Sequence, residues 1–302
     1  MPFTNAMKVA LIILAVILVA MACAPAFVSS DPENMDEFAT SIELNNGMHA
    51  VTAGNPGAPM VLFVHGTPGS WHAFEDYLNH PRLQESVYMV AIDRAGFGRS
   101  DGMDLAPSLK SQSQLLENSF ALNANEQKIL LVGHSLGGSI GFRSAIDHPE
   151  EIGALLAISS AMSSNLGKPR WYNRLAALPV IKHVIPGDLK LANEEVLPLT
   201  DELRMIEEDL ATITMPVTVI QGDKDPLVNT KNADFAQSRL TSAEFKLDRF
   251  PDEGHFIVWS HVDHVVDEIL RLVNRISELE KTDAKKQGTN ETVDGLTIRV
   301  GQ

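Results

Sequence analysis

The chain of 302 residues is 44% hydrophobic and 21% charged, which suits one large globular domain or one domain carrying an insertion. A net charge of −15 argues against nucleic acid, or an anionic membrane, as the main partner of the folded body. Cys23 is the only cysteine, so internal disulfides are excluded and the fold must rest on its core.

In chain order the first pattern is Lys8, an uninterrupted apolar run from Val9 to Ala22, and then Cys23-Ala24-Pro25-Ala26. A cationic start, an apolar stretch and small residues at its end describe an export signal over residues 1–26. The run is shorter than the roughly 20 residues a membrane span needs. The place of Cys23 resembles a bacterial lipoprotein processing site, although Ala20 and Met21 depart from the usual residues there. Lipidation at Cys23, cleavage after Ala26 with ordinary secretion, and an uncleaved anchor stay open, and any membrane contact would be through the N-terminus only. Residues 27–40 are polar and read as a linker.

From Met60 onward, short apolar runs alternate with helical patterns. Met60 to Val64, Val87 to Ile92, Ile129 to Val132, Ala154 to Ile158 and Val217 to Ile220 read as buried strands. Ser108 to Leu122 and Leu136 to Asp147 read as helices, and Trp71, Phe74 and Leu78 recur at helical spacing. In a last helix Val262, Val266, Ile269, Val273 and Ile276 share one face. This alternation predicts an α/β fold over residues 41–160 and 215–276, a mostly parallel sheet with helices on both faces. Residues 161–214 break the rhythm with amphipathic pieces such as Leu199, Leu203, Ile206 and Leu210. They are expected to form a helical lid over the carboxyl ends of the strands. Residues 277–302 are polar, mixed in charge and predicted to be disordered.

The strongest local signal is Gly133-His134-Ser135-Leu136-Gly137-Gly138, directly after one strand and directly before a helix. G-x-S-x-G in that setting is a nucleophile elbow, with Ser135 as the nucleophile. The sharp turn lifts the hydroxyl clear of the backbone, and the glycines let strand and helix approach closely. The backbone N–H of Leu136, at the helix start, is aimed where negative charge develops. His65-Gly66-Thr67-Pro68-Gly69 follows an earlier strand, and the N–H of Thr67 is assigned as the second oxyanion donor. His65 is a rival general base, but a loop-locking histidine fits its place better.

Five stretches in order then resemble the α/β-hydrolase superfamily: HGTPGS (65–70), DRAGFGRSD (93–101), GHSLGG (133–138), QGDKDPLV (221–228) and EGHF (253–256). The resemblance spans roughly residues 40 to 275. It implies the α/β-hydrolase fold, a lid after the sixth strand and the triad order serine, acid, histidine. Ser135, Asp225 and His255 obey that order, with Asp223 as the local competitor for the acid. Some relatives carry the acid after the sixth strand, where this chain has Ser159-Ser160-Ala161 and no carboxylate. A serine at the elbow also differs from the aspartate of the dehalogenase and epoxide hydrolase branches. His261 and His264 read as a solvent-facing stripe rather than metal ligands.

The implied chemistry is acyl transfer to water, with His255 as general base, Asp225 orienting it, and no metal or cofactor required. A carboxylic ester is the first reading of the substrate. Carbon–carbon bond hydrolysis, cofactor-free perhydrolysis and a ligand sensor without turnover are alternatives. The lid residues Trp171, Tyr172, Leu175, Leu178, Val180, Ile181, Val184 and Ile185 offer apolar surface for a small molecule with an acyl chain or an aromatic ring. Lys168, Arg170, Arg174, Lys182 and Lys190 lie in the same stretch and read first as a solvated face, with an anionic substrate or a membrane surface as the alternative. Nothing in the sequence speaks to the oligomeric state.

Overall fold

The computed structural model describes residues 39–125, 127–169, 171–178, 181 and 185–294. Among them eight strands form one sheet: β1 (Ala39–Glu43), β2 (His49–Gly54), β3 (Met60–Val64), β4 (Tyr88–Ile92), β5 (Ile129–His134), β6 (Ile152–Ile158), β7 (Val217–Gly222) and β8 (Phe245–Phe250). Their order across the sheet is β1-β2-β4-β3-β5-β6-β7-β8. β2 runs antiparallel to both its neighbours, and every other pair is parallel. The helices are α1 (Glu75–Leu78), α2 (Pro81–Ser86), α3 (Leu109–Phe120), α4 (Leu136–Asp147), α5 (Trp171–Ala176), α6 (Gly187–Val196), α7 (Leu199–Ile206), α8 (Lys231–Arg239), α9 (Ile257–Ser260) and α10 (Val262–Asp294).

The central strands are buried at every position and mostly apolar, because both faces of the sheet are covered. Met60, Leu62 and Val64 of β3 join Leu116 of α3, Ile140 of α4 and Ala233 of α8 on one face. Val61 and Phe63 point the other way, among Phe74, Tyr77 and Leu83 and the α10 residues Val266, Ile269 and Val273. Burying each such side chain stabilises the fold by about 1.5–3 kcal/mol. The helix expected over Ser108 to Leu122 starts after Ser108, whose hydroxyl caps it by accepting from Ser111 N at 3.0 Å.

Between β6 and β7 the described residues contain the helices α5, α6 and α7 and a 3₁₀ turn at Asp209–Thr212. Leu199, Leu203, Ile206 and Leu210 all enter the core on the α4 face. The insertion therefore leaves from the carboxyl end of β6, as the break in rhythm predicts. No helix among the described residues is long and apolar enough to cross a membrane.

Three elements depart from the sequence reading. The expected linker 27–40 gives way at Ala39 to β1, which hydrogen-bonds to β2 as a sheet edge. At the other edge β8, FKLDRF, is half-buried throughout, so it carries no apolar run. The third is a correction: α10 continues to Asp294, whereas residues from Ser277 are predicted to be disordered. Two anchors hold it at the start of that stretch. Ile276 packs on Gly153, where a Cβ would approach its Cγ2 to 2.9 Å, and the Glu280 carboxylate accepts from Lys128 N at 2.8 Å. Beyond them Glu, Lys and Ala are strong helix formers, so charge alone does not unwind the helix.

Candidate active site

Ser135 stands between the end of β5 and the first turn of α4 with φ 54° and ψ −120°, outside the ordinary regions for a residue with a side chain. The strain is held in place by packing. A Cβ on Gly133 would collide with the backbone of Gly137, and one on Gly137 with the carbonyls of Val64 and His65. Strand and helix thus meet backbone to backbone, with Ser135 projecting from the turn. Its N–H is tied to Ile158 O at 2.8 Å.

The HGTPG loop lies against this turn. A Cβ on Gly66 would come within 2.9 Å of Ser135 Cβ. The N–H groups of Thr67 and Leu136 donate to no backbone carbonyl among the described residues, and Leu136 is the first residue of its helix. The Thr67 hydroxyl is buried and has no partner among them either.

His65 is fully buried and committed to this loop. Arg94 N donates to its Nε2 at 3.0 Å, so its Nδ1 carries the proton and donates to Gly66 O at 2.7 Å. Burial, and then the Arg94 charge, lower its pKa to about 3. A neutral ring with both nitrogens engaged is a brace rather than a base.

His255 reaches the elbow from the loop before α9. Its carbonyl accepts from His134 Nε2 at 3.1 Å, and the two rings are 5.0 Å apart at their centroids. His134 immediately precedes Ser135, so this contact ties the His255 backbone to the elbow. No hydrogen bond joins Ser135 Oγ to another side chain among the described residues. Burial lowers the His134 pKa to about 3, which keeps it neutral beside His255.

The two aspartates after β7 have different fates. Asp225 Oδ2 lies 2.8 Å from His255 Nδ1. Its Oδ1 accepts from Leu227 N at 2.8 Å and Val228 N at 2.9 Å, and Gln221 Nε2 donates to Oδ2 at 3.3 Å. Burial pushes its carboxyl up, but the His255 hydrogen bond and charge and the two N–H groups outweigh that and hold it below the ordinary value. Asp223 is exposed and pairs with Arg249. Ser135, Asp225 and His255 thus converge on one end of the sheet, while Asp223 turns away.

The remaining candidates fall elsewhere. His261 faces Glu253, and His264 faces Asp248. No group of three or more residues suited to a metal occurs among the described residues. Cys23 lies outside the described residues, as do the side chains of Trp171, Tyr172, Val180 and Val184. Leu178 is exposed. Sequence reading missed a buried cluster of Arg94, Gln112 and Glu195 behind the HGTPG loop. Arg94 stands within DRAGFGRSD, but nothing local marks Glu195 as its partner.

Residues 61–271 match the model of the family described as "Alpha/beta hydrolase family". The chain is 32% identical over 112 residues to epoxide hydrolase 4 of Mus musculus, covering 37% of this chain and 31% of the relative. Its match to this curated relative therefore spans about a third of that protein's length. Among solved structures it resembles a membrane phospholipase A described as a bacterial virulence factor, at TM-score 0.60 and 17% identity over 91% of this chain and 99% of the other. An esterase from Exiguobacterium antarcticum is similar at TM-score 0.59 and 17% identity, over 78% of this chain and 99% of that one.

Proposed function

The chain belongs to the alpha/beta hydrolase family, and from that membership we propose that it is a serine hydrolase cleaving carboxylic esters through an acyl-enzyme. The observation that carries the reading is the pairing of His255 Nδ1 with the buried Asp225 carboxylate, beside a strained Ser135 at the start of α4. Asp225 holds the proton on Nδ1 and leaves Nε2 free to accept one. As Ser135 attacks a carbonyl carbon, His255 takes the hydroxyl proton and the carbonyl oxygen becomes an oxyanion. The N–H groups of Thr67 and Leu136 stabilise that charge. His255 then returns the proton to the departing alcohol and activates a water that cleaves the acyl-serine ester.

The likeness to epoxide hydrolase 4 supports the family and not its reaction. A hydroxyl nucleophile opening an epoxide would leave a serine ether, which has no carbonyl for water to attack. An acyl-serine has one, so a serine at the elbow fits ester chemistry. Residues 161–214 are proposed as the lid that covers the acyl group.

Steady-state hydrolysis of p-nitrophenyl esters from acetate to laurate tests this reading. Many turnovers per enzyme are expected, and their loss in Ser135→Ala. A single burst equal to the enzyme concentration would favour a sensor, and no reaction beside efficient cleavage of a vinylogous diketone would favour carbon–carbon hydrolysis.

A further inference from the structure

Arg94, outside the triad, grips the HGTPG loop by two of its carbonyls. Arg94 is 2% exposed and uses all five of its donors. Nε donates to His65 O at 3.1 Å and Nη2 to Gly66 O at 2.8 Å. Nη1 donates to Gln112 Oε1 at 2.6 Å, and the two terminal nitrogens grip the Glu195 carboxylate, with Nη2 to Oε2 at 3.1 Å. Glu195 is 1% exposed and comes from α6, in the inserted segment, 101 residues along the chain.

The geometry has a consequence one bond away. Gly66 O is held by two donors, Arg94 Nη2 and His65 Nδ1. A trans peptide is planar, with its N–H opposite to its C=O. Fixing the Gly66 carbonyl toward Arg94 therefore fixes the Thr67 N–H on the other side of the loop, away from Arg94. That loop abuts Ser135 through Gly66. Without Arg94 the Gly66 carbonyl keeps only the His65 donor, and the Gly66–Thr67 peptide is freer to rotate and carry its N–H off its aim.

We propose that Glu195 is a positioning residue: from the inserted segment it holds Arg94, and Arg94 holds the Gly66–Thr67 peptide so that its N–H meets the oxyanion. Docking of α6 and assembly of the oxyanion hole are then one event, and an undocked insertion leaves a poor catalyst. This rests on the serine-hydrolase reading and deepens it.

The test removes both charges together. A buried pair replaced by apolar side chains of similar size is often tolerated, whereas losing one partner leaves an uncompensated charge. The double variant Arg94→Met/Glu195→Leu is compared with the parent for p-nitrophenyl butyrate hydrolysis, for the rate of Ser135 labelling by a fluorophosphonate, and for thermal unfolding. A kcat lower by roughly 10- to 100-fold is expected, because a misaimed donor costs about that much, with KM changed less than about threefold and labelling slowed in parallel. Glu195→Gln, which preserves size, is expected to move kcat and labelling the same way and gives the comparison alone if the double variant does not fold. Parent-like kcat and labelling in a folded variant overturn the proposal while Ser135 stands as nucleophile. A parent that is never labelled at Ser135 overturns the serine reading and this proposal with it.

Discussion

Asp225→Asn changes few atoms, and its effect follows from where the oxygens of Asp225 point. Oδ1 accepts from two backbone N–H groups, Leu227 at 2.8 Å and Val228 at 2.9 Å. In the asparagine the amide oxygen must take that place, because an NH₂ there would face two donors. The NH₂ is then forced to the Oδ2 position, 2.8 Å from His255 Nδ1 and within reach of the Gln221 amide. A donor facing Nδ1 demands that Nδ1 accept, so the histidine proton moves to Nε2. That is the nitrogen required to receive the Ser135 proton. The expected loss is about 10³–10⁴-fold in kcat, equivalent to roughly 4–5.5 kcal/mol of transition-state stabilisation. KM should hardly change, since the carboxylate is not proposed to touch substrate. Asp223→Asn should stay within about threefold, because its exposed pair with Arg249 contributes at most about 1 kcal/mol to stability. Both variants are assayed by ester hydrolysis, with folding checked by circular dichroism. A folded Asp225→Asn that keeps a tenth of parental kcat would refute the tautomer argument, and a larger loss at Asp223 would reassign the acid.

Three further outcomes follow from the same packing and charges. Gly137→Ala should destabilise the protein by at least the roughly 1–3 kcal/mol of an overpacked core, because its Cβ meets the Val64 and His65 carbonyls; an unchanged melting temperature would mean strand and helix can part. His65 and His134, each lowered to about pKa 3 by burial, stay neutral in the fold but take up protons when unfolded below about pH 6.5. Stability should therefore fall as pH drops from about 6.5 toward 3, by about 1.4 kcal/mol per pH unit for each histidine, and His134→Gln should remove one share of that slope in denaturant titrations. An identical slope in parent and variant would show His134 to be protonated in the fold. Ser108→Ala should cost about 1 kcal/mol through loss of the α3 cap while leaving ester turnover intact, and no stability change would place the cap bond outside the energetics.

The central strands were legible because burial on both faces demands nearly continuous apolar runs, and β3, β4 and β6 carry them. Ser135 was legible for a related reason, since the close approach at Gly133 and Gly137 admits no side chain and so leaves a spaced glycine signature. The edges were not. β1 and β8 are held by backbone pairing, which writes little into side-chain pattern, and the polar end of α10 depends on anchors at Ile276 and Glu280 that only the tertiary structure supplies. The choice of Asp225 over Asp223 needed a family likeness, because both flank Lys224 and differ only in which way the turn sends them. Glu195 was out of reach altogether. Its partner is 101 residues away, and a buried glutamate in an amphipathic helix looks like a solvated one until the fold brings Arg94 to it.

The central claim, that Ser135 carries the acyl group between ester and water, is tested most directly by acid-quenching the protein during turnover of a p-nitrophenyl ester. Intact mass and peptide mapping then locate any adduct. The expected result is a mass gain equal to one acyl group, on Ser135 alone, that disappears as substrate is exhausted and never forms in Ser135→Ala. Turnover at the parental rate in a folded Ser135→Ala, or an acyl group found on another residue while Ser135 stays unmodified, would contradict it.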